Sequence, residues 1–185
     1  NIINSFGADS VRLFILSDSP PEKDVQWSEE GIVSSYKFIQ KLWTLNLKIQ
    51  AEIKKNNSED SSENFSKFTN KFIEKISKNL ENFSYNIIIA NIHEMHTYLT
   101  NEIKNKYKKE TLIENYKKIL ICINPIIPHF SSECLSMLSE SQKYTWPSYD
   151  KKMLIENEVQ IVVQVNGKKR GIIKVKRGIV EKDLI

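Results

Sequence analysis

The sequence predicts a mainly α protein: an antiparallel helical bundle followed by a β-hairpin that opens a small α+β domain. Three observations carry this expectation. Apolar residues recur at spacings of three and four between Ile32 and Leu138, the period of helices with one buried face. After Trp146 and Pro147 the period falls to two. Asn166-Gly167 then separates two alternating runs, the strongest short-range signal for a hairpin turn.

Residues 1–18 place Val11, Phe14 and Ile15 at helical spacing behind the acidic Asp9, which predicts a short helix. Pro20 and Pro21 end it, because proline disfavours helix for itself and for the residue before it. Ser28 is the expected N-cap of a long helix, with Glu29 and Glu30 in its first turn. On that helix Ile32, Tyr36, Ile39, Trp43 and Leu47 step by four, three, four and four, and are expected to form its buried stripe. The stretch NNSEDSSEN, residues 56–64, has no apolar side chain and reads as a solvated loop. A second helix runs through Phe65, Phe68, Phe72, Ile76 and Leu80; a third extends from about Ser84 to Ile103, with Ile88, Ile92, Met95 and Leu99 inward. The fourth carries Leu112, Tyr116, Ile119 and Ile123 up to Pro125, and Pro128 suits the first turn of a fifth whose Cys134, Leu135 and Leu138 point inward. Antiparallel packing with short links is the economical way to bury these stripes.

In the hairpin, Val159, Ile161, Val163 and Val165 alternate with Gln160, Val162 and Gln164, and Ile173 and Val175 alternate with Lys174 and Lys176, predicting one buried face. Two strands alone are marginal, so a further helix is expected from near Val180. The chain opens on Asn1 without a methionine and stops at Ile185 as that new pattern begins, so it reads as a fragment. The expected organisation is a junction over 1–27, a bundle over 28–145, a linker over 146–157 and a truncated α+β domain over 158–185.

Lys and Arg number 27 against 23 Asp and Glu, a net charge of +4, too small by itself to identify a polyanionic partner. Only Arg12, Arg170 and Arg177 are arginines, so the positive charge is almost all lysine, which attracts phosphate as a point charge and seldom reads bases bidentately. Cys122 and Cys134 lie far apart with no CxxC, which fits a reduced, cytoplasmic chain without disulfide or zinc framework. Apolar runs are too short to span a bilayer, and no membrane association is expected.

Neither GxGxxG nor a Walker sequence occurs, nor a nucleophile elbow, and no catalytic residue is nominated. His93 and His96 are three apart and His129 precedes Glu133 by four, but without a complete ligand set no metal site is expected. The basic clusters carry more information. Lys37 and Lys41, four apart on the long helix, share one face beside the stripe of Tyr36, Ile39 and Trp43; they are either solvated or a pair spanning neighbouring phosphates. Lys168, Lys169, Arg170, Lys174, Lys176 and Arg177 surround the hairpin turn without an acid, as an electrostatic footprint or as protection of a sheet edge.

Three stretches together resemble leucyl-tRNA synthetases of class I. FGADSVRLFILSDSPPEKDVQWSEEGI is similar to the segment after that family's KMSKS loop; INPIIPHFSSECLSML to a P-x-x-P-H turn shared with valyl and isoleucyl relatives; and WPSYDKKMLIENEVQIVVQVNGKKRG to the entry of the C-terminal domain. The resemblance covers essentially the whole chain and implies a bundle of the class I anticodon-binding-domain type, contacting tRNA(Leu). It implies tRNA-contacting roles for Lys37 and Lys41 and places Asp9 and Arg12 at the seam with a catalytic domain of the same polypeptide; Lys168, Lys169 and Arg170 of the hairpin cluster are the further tRNA-binding candidates. Lysine at 37 and 41, where relatives carry arginine, keeps the charge and loses the guanidinium fork. The family's HIGH and KMSKS signatures are missing from this chain, so the resemblance implies an inactive piece of a monomeric, ATP- and Mg-dependent leucine-tRNA ligase, with no cofactor of its own. A purely structural module that buttresses the catalytic domain is the alternative, and would show as an exposed apolar patch on residues 1–18.

Overall fold

A computed structural model describes residues 2–18, 23–55, 62–105, 107–138, 144–155, 158–165 and 168–176. The chain divides into two compact units, Asn1–Tyr149 and Asp150–Ile185. The first contains helices α1 (Ile2–Phe6), α2 (Ala8–Asp18), α3 (Glu29–Lys55), α4 (Ser62–Glu81), α5 (Tyr85–Glu102), α6 (Lys109–Ile123) and α7 (Pro128–Leu138). The second contains a 3-10 turn at Lys151–Leu154 and strands β1 (Glu158–Val165) and β2 (Lys168–Lys176).

The helices pack as a bundle, α4 against α5 and α6, α2 against α3 and α5, and α7 against α6. Their common core includes Ile49, Ile73, Ile76, Ile88, Ile92, Ile119, Leu120 and Ile123, all essentially inaccessible. Most elements lie where the apolar period places them. Ser28 caps α3 as expected, its hydroxyl accepting the Gly31 N–H at 3.1 Å.

Four details depart from the sequence reading. The expected single helix over 1–18 is two, because Gly7 takes φ 80°, a left-handed conformation open to glycine, and its N–H closes α1 onto the Ile3 carbonyl at 2.8 Å. Residues 62–64 of the expected loop belong to α4, while residues 56–61 lie outside the described residues. Glu63 gives that helix an acid in its first turn, which favours the early start.

The third departure is the buried side of α3. Of the expected stripe only Ile32 is buried; Tyr36, Ile39 and Trp43 are half-buried, and Leu47 is 51% exposed. The core line is instead Phe38, Leu42, Leu45, Ile49 and Ile53, and it includes the fully buried Asn46. Both series have spacing of three and four; the second wins because it faces the apolar sides of α5 and α6, where Tyr116 donates its hydroxyl to Asn46 Oδ1 at 3.1 Å.

The fourth lies in the hairpin, whose register pairs Val159 with Val175, Ile161 with Ile173 and Val163 with Gly171, then slips so that Gln164 faces Lys169. Arg170 is thereby left without an opposite residue, a β-bulge beside the turn. Val163 and Ile173, expected on a buried face, stay 37% and 38% exposed, since a two-stranded ribbon has no second layer across it. The expected Asn166-Gly167 turn and the helix from Val180 lie outside the described residues.

Candidate nucleic-acid interface

Between Glu30 and Glu52 the sequence of α3 contains no acidic residue. Within this stretch Phe38 and Leu42 turn inward, so Lys37 and Lys41, each one residue earlier and therefore about 100° round the helix, are delivered to the surface. Lys48 follows Lys41 by seven residues, two turns on, and is exposed on the same side.

Opposite them stands α5. A groove of about 420 Å³ between the two helices is lined by Lys37, Gln40, Lys41, Thr44, Leu45, Lys48, His96 and Thr100. No carboxylate lines it. Elsewhere on the bundle lysines are neutralised locally, as in Lys67 with Glu63 at 2.5 Å, Lys75 with Glu94 at 3.1 Å and Lys118 with Glu114 at 2.7 Å. Among the described residues, Lys37, Lys41 and Lys48 have no such partner.

The α5 wall is built on aromatic packing. The His93 ring stacks on Phe38 with centroids 3.7 Å apart, and His96 meets the edge of the same ring at 5.7 Å. Burial, and then the Lys41 and Lys48 charges, hold the His96 imidazole below its ordinary pKa; burial, then His96 and Lys41, do the same to His93. Thr100 and Thr44 donate to the carbonyls one turn back, at 2.7 and 3.0 Å, leaving their hydroxyl oxygens as acceptors.

The remaining nominated residues fall elsewhere. Asp9 is buried, and its carboxylate accepts the N–H groups of Phe130 at 2.7 Å and His129 at 3.3 Å, capping the N-terminus of α7 from α2. It also faces His129 Nδ1 at 3.0 Å. Arg12 donates from Nε to the Ile126 carbonyl at 2.9 Å and from its terminal nitrogen to that of Pro125 at 2.6 Å. The two residues thus clamp the turn between α6 and α7, and their partners lie inside the bundle. Lys168 and Arg170 are exposed on β2 and Lys169 lies on the same strand; these three belong to the second unit and are not part of the α3–α5 groove.

Sequence reasoning missed Lys48, His96 and Thr100. The i+7 relation of Lys48 to Lys41 was available as a signal; the facing of α5 across α3 was not. His93 and His96, weighed as metal ligands, are packing partners of Phe38, and among the described residues no group of three or more His, Cys, Asp or Glu side chains gathers. The groove offers no carboxylate to hold magnesium.

The bundle thus presents a lysine-lined groove without a carboxylate between α3 and α5. Residues 62–185 match the family model of the anticodon-binding domain of tRNA ligase. The chain belongs to that family. Among curated relatives, a protein named leucine-tRNA ligase from Fusobacterium nucleatum is 35% identical over 92% of this chain and 22% of its own length. Another of that name, from Wolbachia pipientis subsp. Culex pipiens, is 34% identical over 99% of this chain and 23% of its own. The chain therefore spans under a quarter of the length of these relatives. A LeuRS from Agrobacterium radiobacter K84, solved as a ternary complex with tRNA and LeuAMS, shares the fold with a TM-score of 0.75 at 18% identity, over 99% of this chain and 25% of that one. The leucyl-tRNA synthetase resemblance read from the three stretches is matched by these relatives. Among the described residues no helix is long and apolar enough to cross a membrane.

Proposed function

We propose that this chain is the tRNA-binding part of a leucine-tRNA ligase, holding tRNA(Leu) so that its acceptor end reaches a catalytic domain carried elsewhere in the same polypeptide. In this reading the parent is a cytoplasmic monomer that uses ATP and magnesium in that other domain. The observation that carries it is the unpaired lysine row on α3, Lys37 and Lys41, standing over a groove without a carboxylate. Lysines so placed attract backbone phosphate through counterion release, a term indifferent to base sequence. Lys168, Lys169 and Arg170 on β2 form a second basic site in the other unit, and the bulge at Arg170 turns its side chain out of the alternation of its strand.

The alternative, a structural module that buttresses a catalytic domain, also has an observation behind it. Ile2, Ile3 and Ile15 are 41%, 54% and 48% exposed, giving α1 and α2 apolar surface that suits a neighbouring domain. Asp9 and Arg12 brace that same end against α7.

The test is tRNA binding by the full-length protein at several salt concentrations, comparing leucine and non-leucine tRNAs with the parent and the Lys37→Ala/Lys41→Ala variant. Two lost phosphate contacts should lower the slope of log affinity against log salt by about 1.4 to 1.8. An unchanged affinity and slope would remove both residues from the interface; equal affinity for all tRNAs would remove leucine specificity from the reading.

A further inference from the structure

We infer that the RNA backbone runs along the whole α3–α5 groove, with Lys48 as a third phosphate anchor and His96 as the hydrogen-bonding group on the facing wall. This inference rests on the reading of Lys37 and Lys41 as tRNA contacts and extends it to Lys48, which the sequence did not single out, and to His96, weighed there only as a metal ligand.

The geometry is that of a track. At 100° per residue, Lys37, Lys41 and Lys48 fall within about 40° of one another round α3 and span about 16 Å along it. That length corresponds to about five nucleotides at about 3.4 Å of rise per strand residue. All three are exposed and none has a carboxylate partner among the described residues, so their field is spent on the groove. Leu45 forms an apolar floor between them. Across the floor, neither ring nitrogen of His96 has a hydrogen-bond partner among the described residues, and its ring is fixed by the Phe38 edge. A fixed imidazole with unused nitrogens, beside the acceptor oxygen of Thr100, suits the phosphate oxygens and 2′-hydroxyls of a ribose backbone.

The charge environment adds a signature. His96 faces Lys41 and Lys48 on α3 and His93 on its own helix; burial first, and then the two lysines, disfavour its protonation in the free protein. A phosphate seated between them offsets the lysine part of that effect, which favours the protonated imidazole in the complex. Loading the groove and protonating His96 are therefore coupled.

Anisotropy titrations of the full-length protein with a leucine tRNA transcript test both parts. Lys48→Ala should weaken binding about four- to fivefold at 0.15 M salt, the value of one contact with a slope of about 0.7 to 0.9, and flatten the salt slope by that amount. His96→Gln should remove strengthening seen between pH 7 and pH 5.5, while His93→Gln, outside the groove, should keep it. If Lys37→Ala/Lys41→Ala weakens binding and Lys48→Ala does not, the track ends at Lys41 and the extension is wrong while the tRNA reading stands. If neither variant changes affinity, the α3–α5 groove is not part of the interface, and the reading of Lys37 and Lys41 as tRNA contacts falls with its extension. A His96→Gln protein with the parent's pH curve excludes His96 from the site.

Discussion

Replacing Asp9 by alanine should destabilise the helical unit by about 3 kcal/mol. The carboxylate is 6% exposed and serves two backbone N–H groups at the start of α7, of which that of Phe130 is itself buried. A hydrogen bond to a charged acceptor contributes about 1.5 to 3 kcal/mol, and a buried donor left without its acceptor costs about 1 to 3 kcal/mol. The charge at a helix N-terminus adds up to about 1 kcal/mol. The longer His129 bond, at 3.3 Å and part-exposed, can be taken over by water, so these effects do not sum in full. For a unit of this size about 1 kcal/mol moves the melting temperature by about 2 to 4 °C, so Asp9→Ala should melt about 6 to 12 °C below the parent. Asp9→Asn keeps one acceptor oxygen and loses the charge, and should fall between the two. Circular dichroism melts at 222 nm, with urea titrations to check that the m-value is constant, give both numbers. An Asp9→Ala protein melting within about 2 °C of the parent would refute the cap, as would an Asp9→Asn protein less stable than Asp9→Ala.

Gly31→Ala should be destabilising although it sits in a helix, where alanine is favoured by about 1 kcal/mol. The new methyl would lie 2.5 Å from Phe14 Cε2 on a buried ring packed edge-on to Trp27, and overpacking costs about 1 to 3 kcal/mol; Phe14→Leu in the same protein should restore the melting temperature. Stability should fall on acidification through His93 and His96. Both are held below their ordinary pKa in the fold, so the unfolded chain binds protons first, and stability is complete above about pH 6.5 and lost as pH falls through the folded values; melts of His93→Gln/His96→Gln should show a flatter acid limb.

The existence of the bundle helices was legible because their apolar period is regular and their ends carry Ser28, Pro125 and Pro128 as punctuation. The face that α3 buries was not. Its 27 residues offer two apolar series about 120° apart, Ile32 to Leu47 and Phe38 to Ile53, and spacing cannot choose between them. The choice is tertiary: the second faces α5 and α6, whereas the first, beyond the buried Ile32, is left half-exposed or exposed. The polar Asn46 lies within the second series, and Tyr116, 70 residues away, supplies the partner that lets it be buried. Lys37 and Lys41 were readable as a pair from their four-residue interval, whereas the groove they line depends on which side of α3 receives α5. Asp9 was legible as a first-turn acid of its own helix; its second duty at α7 is invisible locally because its partners lie 120 residues on.

That separation has a temporal meaning. A ribosome adding about 5 to 20 residues per second needs about 6 to 24 seconds to travel from Asp9 to His129. Throughout that interval α2 is made but its carboxylate and the Arg12 guanidinium have nothing of their own to grip, and only water satisfies them. The clamp from α2 onto the Pro125–Phe130 turn therefore cannot form until that turn has been made, more than a hundred residues after Asp9 and Arg12.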